Sequence, residues 1–242
     1  MPESKMTLEL GTESFTSANQ RVRDALETAD TIELNNVLAQ RYLGCGLPKG
    51  KRLEIHGVPG NDMACYMDGG QMEVYGNGQD QIGNTMNDGH IVIHGRCGDA
   101  AGYGMRGGKI FVRDGCGWRV GIHMKQYQEK CPAIVIGGDA GSFLGEYMAG
   151  GRIVLLGKPG NYLASGMHGG VIYLREALDP QAIPSGLTLK AAQGDDLETL
   201  HELLVEYNLH FSKELAAPID DSGEGFYCLR PKSSRPYAAM YA

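Results

Sequence analysis

The chain has no apolar run of eighteen residues, no signal-peptide pattern and no lipidation motif, so nothing in it reads as a membrane span, export leader or anchor. A soluble, cytoplasmic protein is the resulting expectation. Positive charge is also scarce: 22 Lys and Arg stand against 29 Asp and Glu, a net charge of −7, which argues against nucleic acid or an anionic membrane as the main partner. The six cysteines show no C-x-x-C pair, so iron-sulfur and structural zinc sites are not expected, and a chain of 242 residues does not need disulfides. No Walker lysine follows a glycine loop, and no serine, histidine and acid set suggests a triad. Gly102-Tyr-Gly104-Met-Arg-Gly107 has the dinucleotide-binding spacing but lacks a βαβ context and the acid that should follow it.

What the chain has in excess is glycine, 36 residues, and a repeat of period 19. Units start at Arg52, Gln71, His90 and Lys109, and after a five-residue insertion around Gln128 to Pro132 at Ala133, Arg152 and Val171. Position 16 of the six full units is Met67, Met86, Met105, Met124, Met148 and Met167. Position 13 is always glycine or alanine: Ala64, Gly83, Gly102, Gly121, Gly145 and Ala164. Positions 2 and 4 are aliphatic or methionine in every unit, from Leu53 and Ile55 to Ile172 and Leu174. TIELNN, Thr31 to Asn36, is a less regular first copy.

Units this short, dense in glycine and β-branched residues, are poor helices and good short strands joined by sharp turns. They predict a parallel β-solenoid of about seven 19-residue coils stacked at ~4.8 Å, a rod about 35 Å long. Positions 2 and 4 should face inward, with the methionines as an interior column and Gly-Gly at a corner where positive φ is needed. Cys97 and Cys116, one period apart, should be ladder neighbours and read as buried thiols. His56 and His94 share position 5 but stand two coils apart, roughly 10 Å, too far for one metal. His123 and His168 read as surface residues near the corners, and Cys131, in the insertion, is the one thiol placed where it could react.

Two helices should flank the coils: one over Ser17 to Thr28, with Val22, Ala25 and Leu26 inward, and one over Asp195 to Leu209. Both are expected to cap the ends of the rod, where strand edges would otherwise be open. The expected organisation is 1–30 as an N-terminal capping segment, 31–177 as the coils, and 178–242 as a helix and docking tail. Position 3, which should face out, changes from Glu54 and Glu73 to Val92, Phe111, Val135, Val154 and Tyr173. Either the C-terminal helix or a partner must cover that apolar run.

The stretches GKIFVRDGCGWRVGIHMK, Gly108 to Lys125, and DAGSFLGEYMAGGRIVLLGKPGNYLASGMHGGVIYL, Asp139 to Leu174, resemble the C-terminal GXGXG domain of the glutamate synthase large subunit. The resemblance covers roughly Thr31 to Ala177. It implies a right-handed parallel β-helix that performs no chemical step and holds together a glutamine amidotransferase and a synthase domain carrying FMN and iron-sulfur clusters. Its motif is a fold motif, so no catalytic, cofactor-binding or metal-binding residue of this chain is implied. A chain with its own Met1 and neither of those modules resembles the split arrangement of archaeal-type glutamate synthases and N-methylglutamate synthase complexes. A hetero-oligomer with an amidotransferase chain and an FMN-binding chain is therefore expected, docked through the outer face of coils three to seven and the tail Phe226 to Ala242. The repeat is also similar to the β-helix chain of formylmethanofuran dehydrogenase, a molybdenum or tungsten enzyme. A free-standing hydrolase is the third reading, and its only stacked carboxylates would be Glu54 and Glu73.

Overall fold

A computed structural model describes residues 4–233. Its eleven-stranded sheet runs in the order β1 to β9, then β11, then β10. The strands are β1 (Lys5–Gly11), β2 (Thr31–Leu38), β3 (Arg52–Val58), β4 (Asp68–Tyr75), β5 (Asp88–Ile93), β6 (Lys109–Val112), β7 (Ala133–Ile136), β8 (Ala149–Leu155), β9 (Gly169–Leu174), β10 (Leu187–Ala191) and β11 (Tyr227–Pro231). Strands β1 to β9 pair in parallel, each with the next, and the unit starts read from the sequence are partners along the whole ladder. Arg52 lies beside Gln71, Gln71 beside His90, His90 beside Lys109, Lys109 beside Ala133, Ala133 beside Arg152, and Arg152 beside Val171. The fold is the all-β solenoid expected, with about one coil per parallel strand.

Inside the coils, positions 2 and 4 are buried throughout, and the methionine column from Met67 to Met167 is buried at every rung. The Gly-Gly corner has the positive φ expected, as at Gly108, Gly151 and Gly170 (79°, 90° and 81°), and a second left-handed turn lies at positions 11 to 15. There every second residue is left-handed, as at Asp62, Ala64 and Tyr66 (φ 60°, 59° and 57°) and at Ala100, Gly102 and Gly104 (φ 54°, 69° and 58°). Position 13 is small for two reasons at once. Its φ is positive, and its α-carbon presses on the isoleucine row across the core, so that a β-carbon on Gly145 would stand 2.6 Å from Ile172 Cδ1. The methionine is tied to the corner glycine in the same way: a β-carbon on Gly170 would stand 2.5 Å from Met148 Cε. The fixed spacing between methionine and Gly-Gly is therefore a packing contact between one coil's column residue and the next coil's corner.

The flanking segments depart from expectation in instructive ways. Helix α1 (Phe15–Thr28) starts before Ser17, because Ser14 is its N-cap and accepts a hydrogen bond from the Ser17 N–H at 3.4 Å. Ahead of it, β1 pairs with β2, so the parallel sheet begins before Thr31, with Leu8 beside Leu34. Helix α2 (Asp195–Phe211) does not cap an end. It lies along the rod, packing Leu200, Leu203, Leu204, Tyr207 and Phe211 onto Val92, Phe111, Val135, Val154 and Tyr173. A 17-residue helix is about 25 Å long, the width of five strands at ~4.8 Å, so one helix covers the entire apolar run at position 3. The outer face expected to meet a partner is thus closed by the chain itself. The far end is capped instead by β11 and β10: β11 runs antiparallel to β9, with Cys228 beside Tyr173, and β10 antiparallel to β11. The first part of the expected docking tail is this cap, and its remainder, 234–242, lies outside the described residues.

Replacing Met105 by Asp is expected to abolish cooperative unfolding, because a carboxylate would be buried among apolar neighbours. Met105→Leu, similar in volume, should lose less than about 1.5 kcal/mol. Thermal melts of the pair by circular dichroism decide it, and a soluble, cooperatively melting Met105→Asp would place the column at the surface.

Candidate interaction surface

No residue of this chain was expected to carry chemistry, and the singled-out side chains resolve into ladders. Among the described residues, no group of three or more His, Cys, Asp or Glu could hold a metal ion. His56 and His94 are separated by the ring of Tyr75, stacked 4.8 Å from each. Glu54 and Glu73, the pair a hydrolase would need, are joined by Arg52, at 3.0 Å from Glu54 and in direct contact with Glu73. Hydrogen bonds from Lys5 to Glu54 and from His94 to Glu73 hold both carboxyls below their ordinary range, so neither is poised to keep a proton for acid catalysis. All six cysteines are free thiols. Cys97 and Cys116 are bridge partners, and the hydrogen bond between them, together with burial, raises the Cys116 thiol. Burial also raises the Cys131 thiol, which makes it a weaker nucleophile than its place in the insertion suggested.

A ribbon of charge crosses the N-terminal coils and ends on α2. Lys5 contacts Glu33 (2.9 Å) and Glu54 (2.8 Å), and Arg52 links Glu54 to Glu73. His94 Nε2 donates to Glu73 Oε1 at 3.0 Å, while Nδ1 donates to Glu214, which also pairs with Arg113. Both ring nitrogens face carboxylates, which accept only, so the geometry calls for an imidazolium. Tyr75 stacks on one face of that ring and Phe211 meets it edge-on at 5.3 Å. This clamp fixes the end of α2 to the rod.

Across the core from the sheet lies the turn face, and it carries exposed rings in the 19-residue register. Position 11 reads Arg119, Phe143 and Tyr162 on three successive coils: the Arg119 guanidinium lies 4.7 Å over Phe143, which stacks on Tyr162 at 4.8 Å. Beside it, Tyr103 meets His123 edge-on at 5.9 Å and His123 stacks on Tyr147 at 5.3 Å. Stacking does not bury these rings, since Tyr162 is 68% exposed, Tyr147 43% and neighbouring Trp118 53%. Phe143, Tyr147 and Tyr162 all have left-handed φ (66°, 51° and 59°), a conformation costing a bulky residue about 1–2 kcal/mol. The sequence holds a signal for them, aromatic residues recurring at positions 11 and 15, weaker than the repeat of the buried phases. His168 lies apart from these ladders, its Nδ1 donating to the Gly166 carbonyl at 3.2 Å.

Comparison with known proteins adds two findings. The GXGXG motif family matches residues 12–222. An uncharacterized protein of Methanocaldococcus jannaschii is 39% identical over 241 residues, covering 94% of this chain and 92% of its own length. Among the described residues, no helix is long and apolar enough to cross a membrane.

The His94 clamp sets a pH dependence. Burial disfavours the charged ring, but the bonds to Glu73 and Glu214 outweigh it and raise the pKa above 6.5. The stabilisation is then complete below about pH 6.5, the unfolded value, and is lost as pH rises through the higher folded value. The melting-temperature advantage of the wild type over His94→Gln should shrink from pH 6 to pH 9. A constant difference would mean that the ring is neutral in the fold.

Proposed function

The chain belongs to the GXGXG motif family, that of the C-terminal domain of the glutamate synthase large subunit, and on that footing we propose that it is a non-catalytic β-helix scaffold subunit of a glutamate synthase-type complex. In this reading one partner is a glutamine amidotransferase and another an FMN and iron-sulfur containing synthase-like chain, acting in glutamate or N-methylglutamate synthesis. The observation that carries it is a rod whose apolar face is closed by its own helix while a second face displays Trp118, Tyr147 and Tyr162 to solvent. Exposed aromatic residues beside arginine are the composition of binding hot spots, not of a solvated surface. A solenoid suits the task because each coil is fixed by its neighbours, so surfaces at different heights keep their separation and orientation.

The iron-sulfur clusters belong to a partner in this scheme: such clusters take four protein ligands, most often thiolates, and the laddered thiols here come in twos, Cys45 with Cys65 and Cys97 with Cys116. What this chain contributes is positioning: it holds the chain that releases ammonia and the chain that consumes it in one assembly.

Native purification of the tagged protein from its own cells, with co-purifying chains identified by mass and the absorbance recorded, tests the proposal. A complex with flavin and iron-sulfur absorbance, containing both partner classes, is the expected result. A molybdenum or tungsten pterin partner would transfer the chain to a formylmethanofuran dehydrogenase-type assembly, and a colourless solitary protein would end the scaffold reading.

A further inference from the structure

The turn face is unusual in what it spends on exposure. Positions 11 and 15 require left-handed backbone, and across the rod they hold residues of every size, from Gly104, Gly166 and Ala100 to Asp62, Tyr66, Arg119 and His123. On the coils starting at Ala133 and Arg152 three of the four are aromatic, Phe143, Tyr147 and Tyr162. Phe143 is half-buried between Arg119 and Tyr162, but Tyr147 and Tyr162 are 43% and 68% exposed, and stability gives them less reason to be there, since glycine adopts this φ freely. A strained backbone that presents bulky apolar groups to solvent points to a use outside the chain.

Charge narrows the kind of partner. On these coils Asp99 accepts from the Trp118 N–H and Asp139 from the Lys158 N–H, each at 2.7 Å, and Glu146 pairs with Arg119 at 3.1 Å. Positive charge nevertheless prevails here: from His90 to Leu174 nine Lys and Arg stand against five Asp and Glu. Arg106, Lys125 and Lys158 have no carboxylate in ion-pair reach among the described residues, and Arg106 Nε is buried without any hydrogen-bond partner. In a chain of net charge −7, these coils present free positive charge around an aromatic strip.

We infer that the turn face of the coils starting at His90, Lys109, Ala133 and Arg152 is the docking surface for an acidic surface of the flavin-containing partner chain. Trp118, Phe143, Tyr147 and Tyr162 are its anchors, and Arg106, Lys125 and Lys158 pair with the partner's carboxylates as it docks. This assignment rests on the scaffold reading and adds to it the face and the sign of charge that the partner must bring. Anchor removal should act mainly on dissociation, and charge reversal mainly on association and its salt dependence.

The test compares wild type with three variants, each purified with the partner chain and measured for binding to it at two salt concentrations. Tyr162→Gly removes the most exposed ring and supplies the residue that this φ favours, so its melting temperature should be retained while binding weakens at least about tenfold. Trp118→Ala should weaken binding by a similar factor, and the double variant Lys125→Glu, Lys158→Glu should slow association and flatten its salt dependence. Tyr66→Ala, on the same turn face nearer the N-terminus, is the control and should bind as wild type. Unchanged affinity in the Tyr162 and Trp118 variants overturns the surface assignment while leaving the scaffold reading intact. A Tyr162→Gly protein that loses folding along with binding overturns it too, by making the ring structural. Failure of the wild type to bind a flavin-containing chain, or self-association in its place, overturns both.

Discussion

Backbone hydrogen bonding from one coil to the next is the constraint on which the rest depends. Each parallel strand donates to and accepts from its two neighbours, and the turn segments do the same, as when Gly102 N–H donates to Ile82 O and Gly121 N–H to Ala101 O, both at 2.8 Å. Such a ladder tolerates no drift: a coil one residue too long would turn every inward side chain outward. Nineteen residues must therefore close a loop every time, and the alternating left-handed residues at positions 11, 13 and 15 are how so short a loop turns. The glycine content, the small residue at position 13 and the methionine packed on the next corner all follow from that closure.

The inward phases were legible because they obey a rule without exception. Positions 2, 4 and 16 see only other coils, so their residue types are set by the core and repeat with it. The closing turn was less legible. Gly102-Tyr-Gly104 first resembles a dinucleotide loop, and only its φ values identify it as the turn that every coil makes. Helix α2 shows a different limit. Its leucines announced a helix, yet whether Asp195–Phe211 would cap an end or lie along the side depended on matching its length to the five apolar rungs from Val92 to Tyr173. That is a fit in three dimensions, and a single segment's pattern does not contain it. The end cap was hidden for a similar reason, since β10 and β11 are separated in sequence by the whole of α2.

The candidate surface was the least legible part, because its outward positions repeat a left-handed backbone but place no requirement on side-chain type. Arg119, Phe143 and Tyr162 share no residue type, although they form one stack. His94 shows the same effect on the other side of the rod. In sequence it is one histidine at position 5, while in the fold it gathers Glu73 from a neighbouring coil and Glu214 from beyond α2. Function and fixation on this molecule are properties of neighbours one coil apart, 19 to 24 residues away in the chain, or further still.

The antiparallel cap at β11 has a meaning beyond closing an edge. A stack of parallel coils has no natural length, since each new coil presents the same template as the last, and an uncapped end would invite open-ended growth. By reversing direction after β9, the chain makes its rod finite, and the number of coils becomes a measured quantity. Gain or loss of one 19-residue unit would move anything attached beyond it by one strand spacing, ~4.8 Å, without altering the other coils' surfaces. The molecule is in that sense a graduated ruler, with its scale written in the period of the sequence.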